Sequence, residues 1–144
     1  MTKKRHILLI EDNQSDIVLT LEAIKEAGIK SEIHIVRDGD EALKFLYHKG
    51  EFTDSVTPQL IILDIHLPKK DGFEVLEHIK QDDRLKSIPV VVLSTSEAMK
   101  DIDKAYQMHA NCFVAKPVDY HRFAEIIHSI EQFWFEIVKL PTQV

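Results

Sequence analysis

Short uninterrupted apolar runs, each stopped by a polar residue, constrain this chain more than any other feature. Ile7-Leu8-Leu9-Ile10 is followed by Glu11-Asp12, Leu60-Ile61-Ile62-Leu63 by Asp64, and Val90-Val91-Val92-Leu93 by Ser94. Runs this short do not make a helix face. Apolar on both sides, they suit strands covered by helices above and below. The intervening stretches have helical spacing. Residues 15–27 place Ile17, Val18, Leu21 and Ile24 on one stripe, with Gly28 as a stop. Asp38 with Glu41 predicts a capped helix that buries Ala42, Leu43, Phe45 and Leu46 and ends at Gly50. Residues 73–79 form a third helix after Asp71-Gly72, where the glycine permits the turn. Residues 97–109 predict a mostly polar helix with Met99, Ile102, Ala105, Tyr106 and Met108, and Asp119 caps a last helix running to about Glu136. Residues 32–36 alternate in polarity like a strand near a sheet edge, residues 88–93 read as a buried strand, and residues 112–115 as a short one. A β-α unit repeated five times predicts an α/β fold, with a parallel sheet covered by helices on both faces.

Composition narrows the function classes. With 144 residues a single domain is expected, 1–144, with 137–144 as a C-terminal tail and no separate output domain. The formal net charge of -6 argues against nucleic acid as a partner, because the one basic cluster, Lys3-Lys4-Arg5, is short. The single cysteine, Cys112, excludes an internal disulfide and reads as a small strand residue. No run is long enough to cross a membrane and no secretory leader pattern opens the chain, so a cytoplasmic location and no membrane partner are expected.

In open α/β sheets, ligands bind beyond the carboxyl ends of the strands. Glu11, Asp12, Asp64, Ser94 and Lys116 all follow apolar runs, so they fall at one edge of one sheet. Any one of them could be polar simply because strand ends reach water. As a set they are harder to dismiss. Crowded carboxylates repel each other unless a cation sits among them, and hard oxygen ligands suit Mg²⁺. A carboxylate nucleophile, a divalent ion, an ammonium and a hydroxyl together are equipped to handle a phosphoryl group.

At these residues the sequence resembles the receiver domains of two-component response regulators. Glu11-Asp12, Ser94 and Lys116-Pro117 match that family's motifs, as does the run Leu63-Asp64-Ile65-His66-Leu67-Pro68-Lys69-Lys70-Asp71-Gly72, and the likeness covers about residues 5–136. The resemblance implies a flavodoxin-like sheet of strand order 2-1-3-4-5. It implies that Asp64 accepts a phosphoryl group from the phosphohistidine of a sensor histidine kinase. Asp12, Asp64 and the His66 carbonyl would hold Mg²⁺, with Glu11 acting through water. Lys116 would neutralise one phosphoryl oxygen and Ser94 would hydrogen-bond another. Phe113 occupies the switch-aromatic position, and a cis Lys116–Pro117 bond would aim the lysine. Such a domain is a phosphoacceptor rather than an enzyme, although it can catalyse its own phosphorylation and dephosphorylation. Phosphorylation would bias a surface on the fourth helix, fifth strand and fifth helix, where family members also form homodimers. The stretches 69–73 and 88–96, with Phe133-Trp134 and Leu140-Pro141, are similar to stand-alone regulators of bacterial phytochromes, although Gln14 departs from the proline often found there.

Side signals refine this expectation. His66, two residues after the acceptor, and Ser96 are expected to tune the lifetime of the phosphorylated state, while Thr95 narrows the approach of donors or is simply tolerated. The remaining histidines read as surface or part-buried groups. The last helix has more apolar residues than one stripe needs, including Phe133, Trp134, Phe135, Ile137 and Val138, which points to a partner or to self-association. Two rival readings stand beside the receiver. An aspartyl-nucleophile phosphohydrolase would need a second Asp at the position of His66. A non-phosphorylated interaction module would keep only the fold.

Overall fold

The computed structural model describes residues 5–26, 31–95, 98–117, 119–137 and 139–141. The strands are β1 (Arg5–Ile10), β2 (Ser31–Val36), β3 (Leu60–Leu63), β4 (Val90–Ser94) and β5 (Cys112–Ala115). The helices are α1 (Gln14–Glu26), α2 (Gly39–Leu46), α3 (Gly72–Gln81), α4 (Met99–Gln107) and α5 (Tyr120–Gln132), the last running into a π-helical turn over Phe133–Ile137. The five strands form one parallel sheet in the order β2-β1-β3-β4-β5.

Period-two alternation within each apolar run divides the core between the two faces. Leu8, Ile10, Ile61, Leu63, Val90 and Val92 pack with Phe45 of α2, Leu76 and Ile79 of α3, and Ala105 of α4. Ile7, Leu9, Leu60, Ile62, Val91 and Leu93 pack with Ile17 and Ile24 of α1 and with Phe123, Ile127 and Ile130 of α5. The run residues serve both faces at once, which is why they lack a polar position. Each fully buried Ile or Leu contributes about 1.5–3 kcal/mol of burial. Capping sets several helix starts. Asp38 accepts from the Glu41 amide at 2.8 Å and Asp71 from the amides of Phe73 and Glu74. Asp119 accepts from those of His121 and Arg122. The Glu41 carboxylate reaches back to the Arg37 amide at 3.0 Å, one residue before the cap.

Several boundaries differ from the sequence expectation. Helix α2 ends at Leu46, not Gly50, because His48 turns into the left-handed region at φ 57° and a 3-10 turn starts at Gly50. Leu43 is only half-buried. Strand β4 begins at Val90, after Pro89, which has no N–H to give a ladder and contributes its carbonyl to the Ile61 amide at 3.0 Å. Helix α4 spans Met99–Gln107 and only Ala105 of its expected apolar set is fully buried; Met99 and Tyr106 are exposed. The last α-helix stops at Gln132, where the π-helical turn begins. Within that turn Phe135 faces the core while Phe133 and Ile137 are 48% and 65% exposed. The Lys116–Pro117 bond is trans, not cis. Gly28, Ser96, Glu97 and Val138 lie outside the described residues.

Gly72 also serves a different purpose from the one expected. Its φ is not positive. A Cβ there would lie 2.3 Å from the Ile65 Cα and 2.6 Å from the Asp64 carbonyl oxygen, so space rather than conformation demands glycine. Gly72→Ala is expected to push the loop after β3 away from α3. The expected loss is at least the ~1–3 kcal/mol typical of overpacking, read as a lower urea midpoint at unchanged slope.

Candidate functional site

The carboxyl ends of β1 and β3 are adjacent, so the residues that follow them meet. The Asp64 amide donates to the Ile10 carbonyl at 3.0 Å, and the Glu11 amide to that of Val36 at 3.0 Å. These bonds extend the sheet ladder just past its apolar part and fix both acidic residues to it. Glu11 and Asp64 are buried, Asp12 is exposed, and one carboxylate oxygen from each lies within 4.8 Å of the others. The Asp64 Oδ1 accepts from the His66 amide at 3.0 Å, a local turn that orients the carboxylate.

Lys116 follows β5 and reaches the same place through a trans peptide bond. Its backbone amide donates to the Ser94 carbonyl at 2.7 Å, which carries the β4–β5 ladder one step further. Its Nζ donates to Glu11, to Asp16 Oδ2 at 2.9 Å and to Asp64 Oδ2 at 3.2 Å, and the side chain is only 5% exposed. Ser94 is fully buried at the end of β4 and Thr95 is exposed beside it. Phe113 is half-buried against the α3–α4 face, its amide donating to the Tyr106 hydroxyl at 3.1 Å. His66 is exposed, and it is its amide that engages Asp64.

Asp16 was not among the expected site residues. It sits in the first turn of α1, four positions after Asp12, with its amide held by Asn13 Oδ1 at 3.0 Å. A carboxylate at that spacing after an acidic pair was the available signal, and it reads equally well as a residue favoured at a helix N-terminus.

Electrostatics reflect the crowding. Burial, reinforced by the hydrogen bond and charge of Asp64, raises the Glu11 carboxyl to about 7, against the opposing pull of Lys116. Burial alone would lower the Lys116 ammonium. The hydrogen bond to Glu11 and the charges of Asp64 and Glu11 outweigh it and hold the amine above its ordinary value. A single ammonium thus answers three carboxylates, with Asp12 besides, and the cluster retains an excess of negative charge. Clustered hard oxygen donors with surplus negative charge fit a small divalent cation.

The family described as response regulator receiver domain matches residues 7–128. The chain is 46% identical over 135 residues to the response regulator Rcp1 of Synechocystis, covering 94% of this chain and 92% of that protein. Its fold is similar to the crystal structure of the phosphorylated cyanobacterial phytochrome response regulator RcpA, with a TM-score of 0.94 and 44% identity over 97% of this chain and 100% of that one. The Mn²⁺-bound form of Rcp1 gives a TM-score of 0.91 and 45% identity over 96% and 99% of the two chains. No described helix is long and apolar enough to cross a membrane.

Proposed function

This chain belongs to the response regulator receiver family, and on that footing we propose that Asp64 accepts a phosphoryl group from the phosphohistidine of a sensor histidine kinase. The observation that carries the assignment is the placement of Asp64. It is a buried carboxylate with one oxygen held by a backbone amide and the other facing an ammonium, inside an acidic cluster at the strand tips. In the transfer, an Asp64 oxygen forms a bond to phosphorus as the N–P bond breaks, and the electron pair returns to the donor imidazole. Asp12, Asp64 and the His66 carbonyl are the residues that would hold Mg²⁺ directly, with Glu11 acting through water. That ion supplies charge neutralisation to the phosphoryl oxygens.

The chain's own residues do the rest. Lys116 is already within hydrogen-bond reach of Asp64, so one of its three bonds can pass to a phosphoryl oxygen without a large excursion. Ser94, at the end of the neighbouring strand, would hydrogen-bond another. Its movement would be followed by Phe113, whose amide is tied to Tyr106 of α4. The output is a protein contact on α4, β5 and α5, where the exposed Tyr106 and Met99 lie. Phe133 and Ile137 after α5 are exposed as well, which supports a homodimer there. Likeness to phytochrome response regulators supports a phytochrome-type kinase as the donor. Ser96, Thr95 and the exposed His66 would tune hydrolysis of the acyl phosphate. A phosphohydrolase is disfavoured, because the residue two places after Asp64 is His66 and it presents an amide, not an acid, to the carboxylate.

The test is incubation with acetyl phosphate and Mg²⁺ followed by intact mass. One phosphoryl group is expected, absent when EDTA replaces the metal, and borohydride reduction should convert Asp64 to homoserine. No adduct, or an adduct at another residue, overturns the assignment. Metal affinity should depend on pH with a definite sign. A raised Glu11 carboxyl keeps its proton below about 7, so a cation must displace that proton. Mg²⁺ affinity is expected to rise by up to about tenfold per pH unit between pH 5 and 7 and to level off above that, as followed by calorimetry.

A further inference from the structure

Between the amino-terminal halves and the middle of β1 and β2 lies a second cluster of ligating groups. His6 lies five positions before Glu11 on the chain, about 16 Å away at the usual rise per strand residue. The β1–β2 register pairs His6 with Glu32 and Leu8 with His34, so alternation puts His6, Glu32 and His34 on the same face of the sheet. His6 Nδ1 is 3.1 Å from His34 Nε2 and 3.7 Å from Glu32 Oε2. One ligating atom from each of the three residues lies within 4.8 Å of the others. A tetrahedral zinc ion with bonds of about 2.0–2.1 Å would set its ligands about 3.3 Å apart. The two measured separations straddle that value.

The geometry is held in place. The His6 amide donates to Gln59 Oε1 at 3.0 Å and its carbonyl accepts from the Gln59 amide at 2.8 Å. The two imidazoles stack at 5.3 Å between centroids and 27° between planes, and His34 is backed by the Phe45 ring at 5.4 Å. The site is nevertheless open to water, with 26% of the His6 side chain and 46% of the Glu32 side chain exposed.

We propose that His6, Glu32 and His34 form a second divalent-metal site, selective for a borderline cation of the Zn²⁺ class and chemically separate from the acidic cluster at the carboxyl ends of the strands. Two imidazoles and one carboxylate favour Zn²⁺, Ni²⁺ or Cu²⁺ over Mg²⁺. The fourth coordination position is left to water or to an incoming ligand. The hydrogen bond between the rings already requires one nitrogen to offer a lone pair, and the donor ring can move its proton to its other nitrogen when an ion enters. A bound ion ties β1 to the edge strand β2 and stabilises the folded chain by mass action. The site is independent of the phosphoryl chemistry.

The test is a Zn²⁺ titration of the full chain in excess Mg²⁺, with Co²⁺ as a spectroscopic probe. Wild type is expected to bind one Zn²⁺ and to give visible Co²⁺ bands of a four-coordinate site. His6→Gln and Glu32→Gln are each expected to weaken Zn²⁺ binding by at least roughly tenfold. Asp12→Asn is expected to leave it intact. Glu32 is exposed, so its variant remains informative even if a change at His34 disturbs the packing on Phe45. No Zn²⁺ uptake in excess Mg²⁺, uptake undiminished in both the His6 and Glu32 variants, or uptake lost in Asp12→Asn overturns the proposal.

Discussion

Asp64→Asn is expected to leave the protein folded and unable to take up a phosphoryl group. The amide keeps the shape of the carboxylate, and its oxygen can still accept from the His66 amide, the bond made at 3.0 Å in the native protein. Its nitrogen would face the Lys116 ammonium across the 3.2 Å now spanned by an ion pair, two donors opposed, so Lys116 shifts weight to Glu11 and Asp16. The chemical loss is larger than the structural one. An amide oxygen is a poor nucleophile towards phosphorus, and Asp64 is the carboxylate that directly follows β3. Intact mass after acetyl phosphate treatment should show no adduct, while circular dichroism remains that of wild type. An adduct of equal yield would place the acceptor elsewhere.

Lys116→Met should produce the second large effect, one of opposite character, with stability lost and metal response gained. Methionine approximates the length of the buried stem but removes the cation that answers Glu11, Asp16 and Asp64. Removing one partner from a buried ionic group typically costs about 3–5 kcal/mol. Protonation of Glu11, already raised to about 7, relieves part of that loss. In EDTA the variant is therefore expected to melt well below wild type. The vacated carboxylates then lack a competing ammonium, so Mg²⁺ should raise the melting temperature of the variant more than that of wild type. Equal shifts in the two proteins would show that Lys116 and the ion do not share ligands.

Much of this architecture was legible in the residues because burial on both faces leaves a strand no polar position. Leu60–Leu63 and Cys112–Ala115 begin and end where the runs indicate. The less legible features depend on tertiary packing. Helix α2 stops short of its glycine because the backbone reverses at His48. The reason for Gly72 is the nearness of Ile65, which no local pattern reports. Placement of Glu11, Asp12, Asp64 and Lys116 at one rim followed from strand ends alone. Asp16 escaped because its role comes from a helix packing beside the sheet, and an acidic first turn is ordinary for a helix. The trans bond at Pro117 shows that Lys116 reaches the cluster without the expected isomer.

Lys116 and Glu11 stand 105 positions apart along the chain, and each acidic partner of that amine among the described residues comes before it in sequence. During synthesis the ribosome therefore delivers the anions first and their counter-charge after them. Until β5 has emerged, those carboxylates are answered only by water, protons or a divalent ion, the same situation that Lys116→Met creates in the full chain. Because Lys116 directly follows β5, the counter-charge and the strand that completes this edge of the sheet arrive together, so closing the sheet and neutralising its rim are coupled.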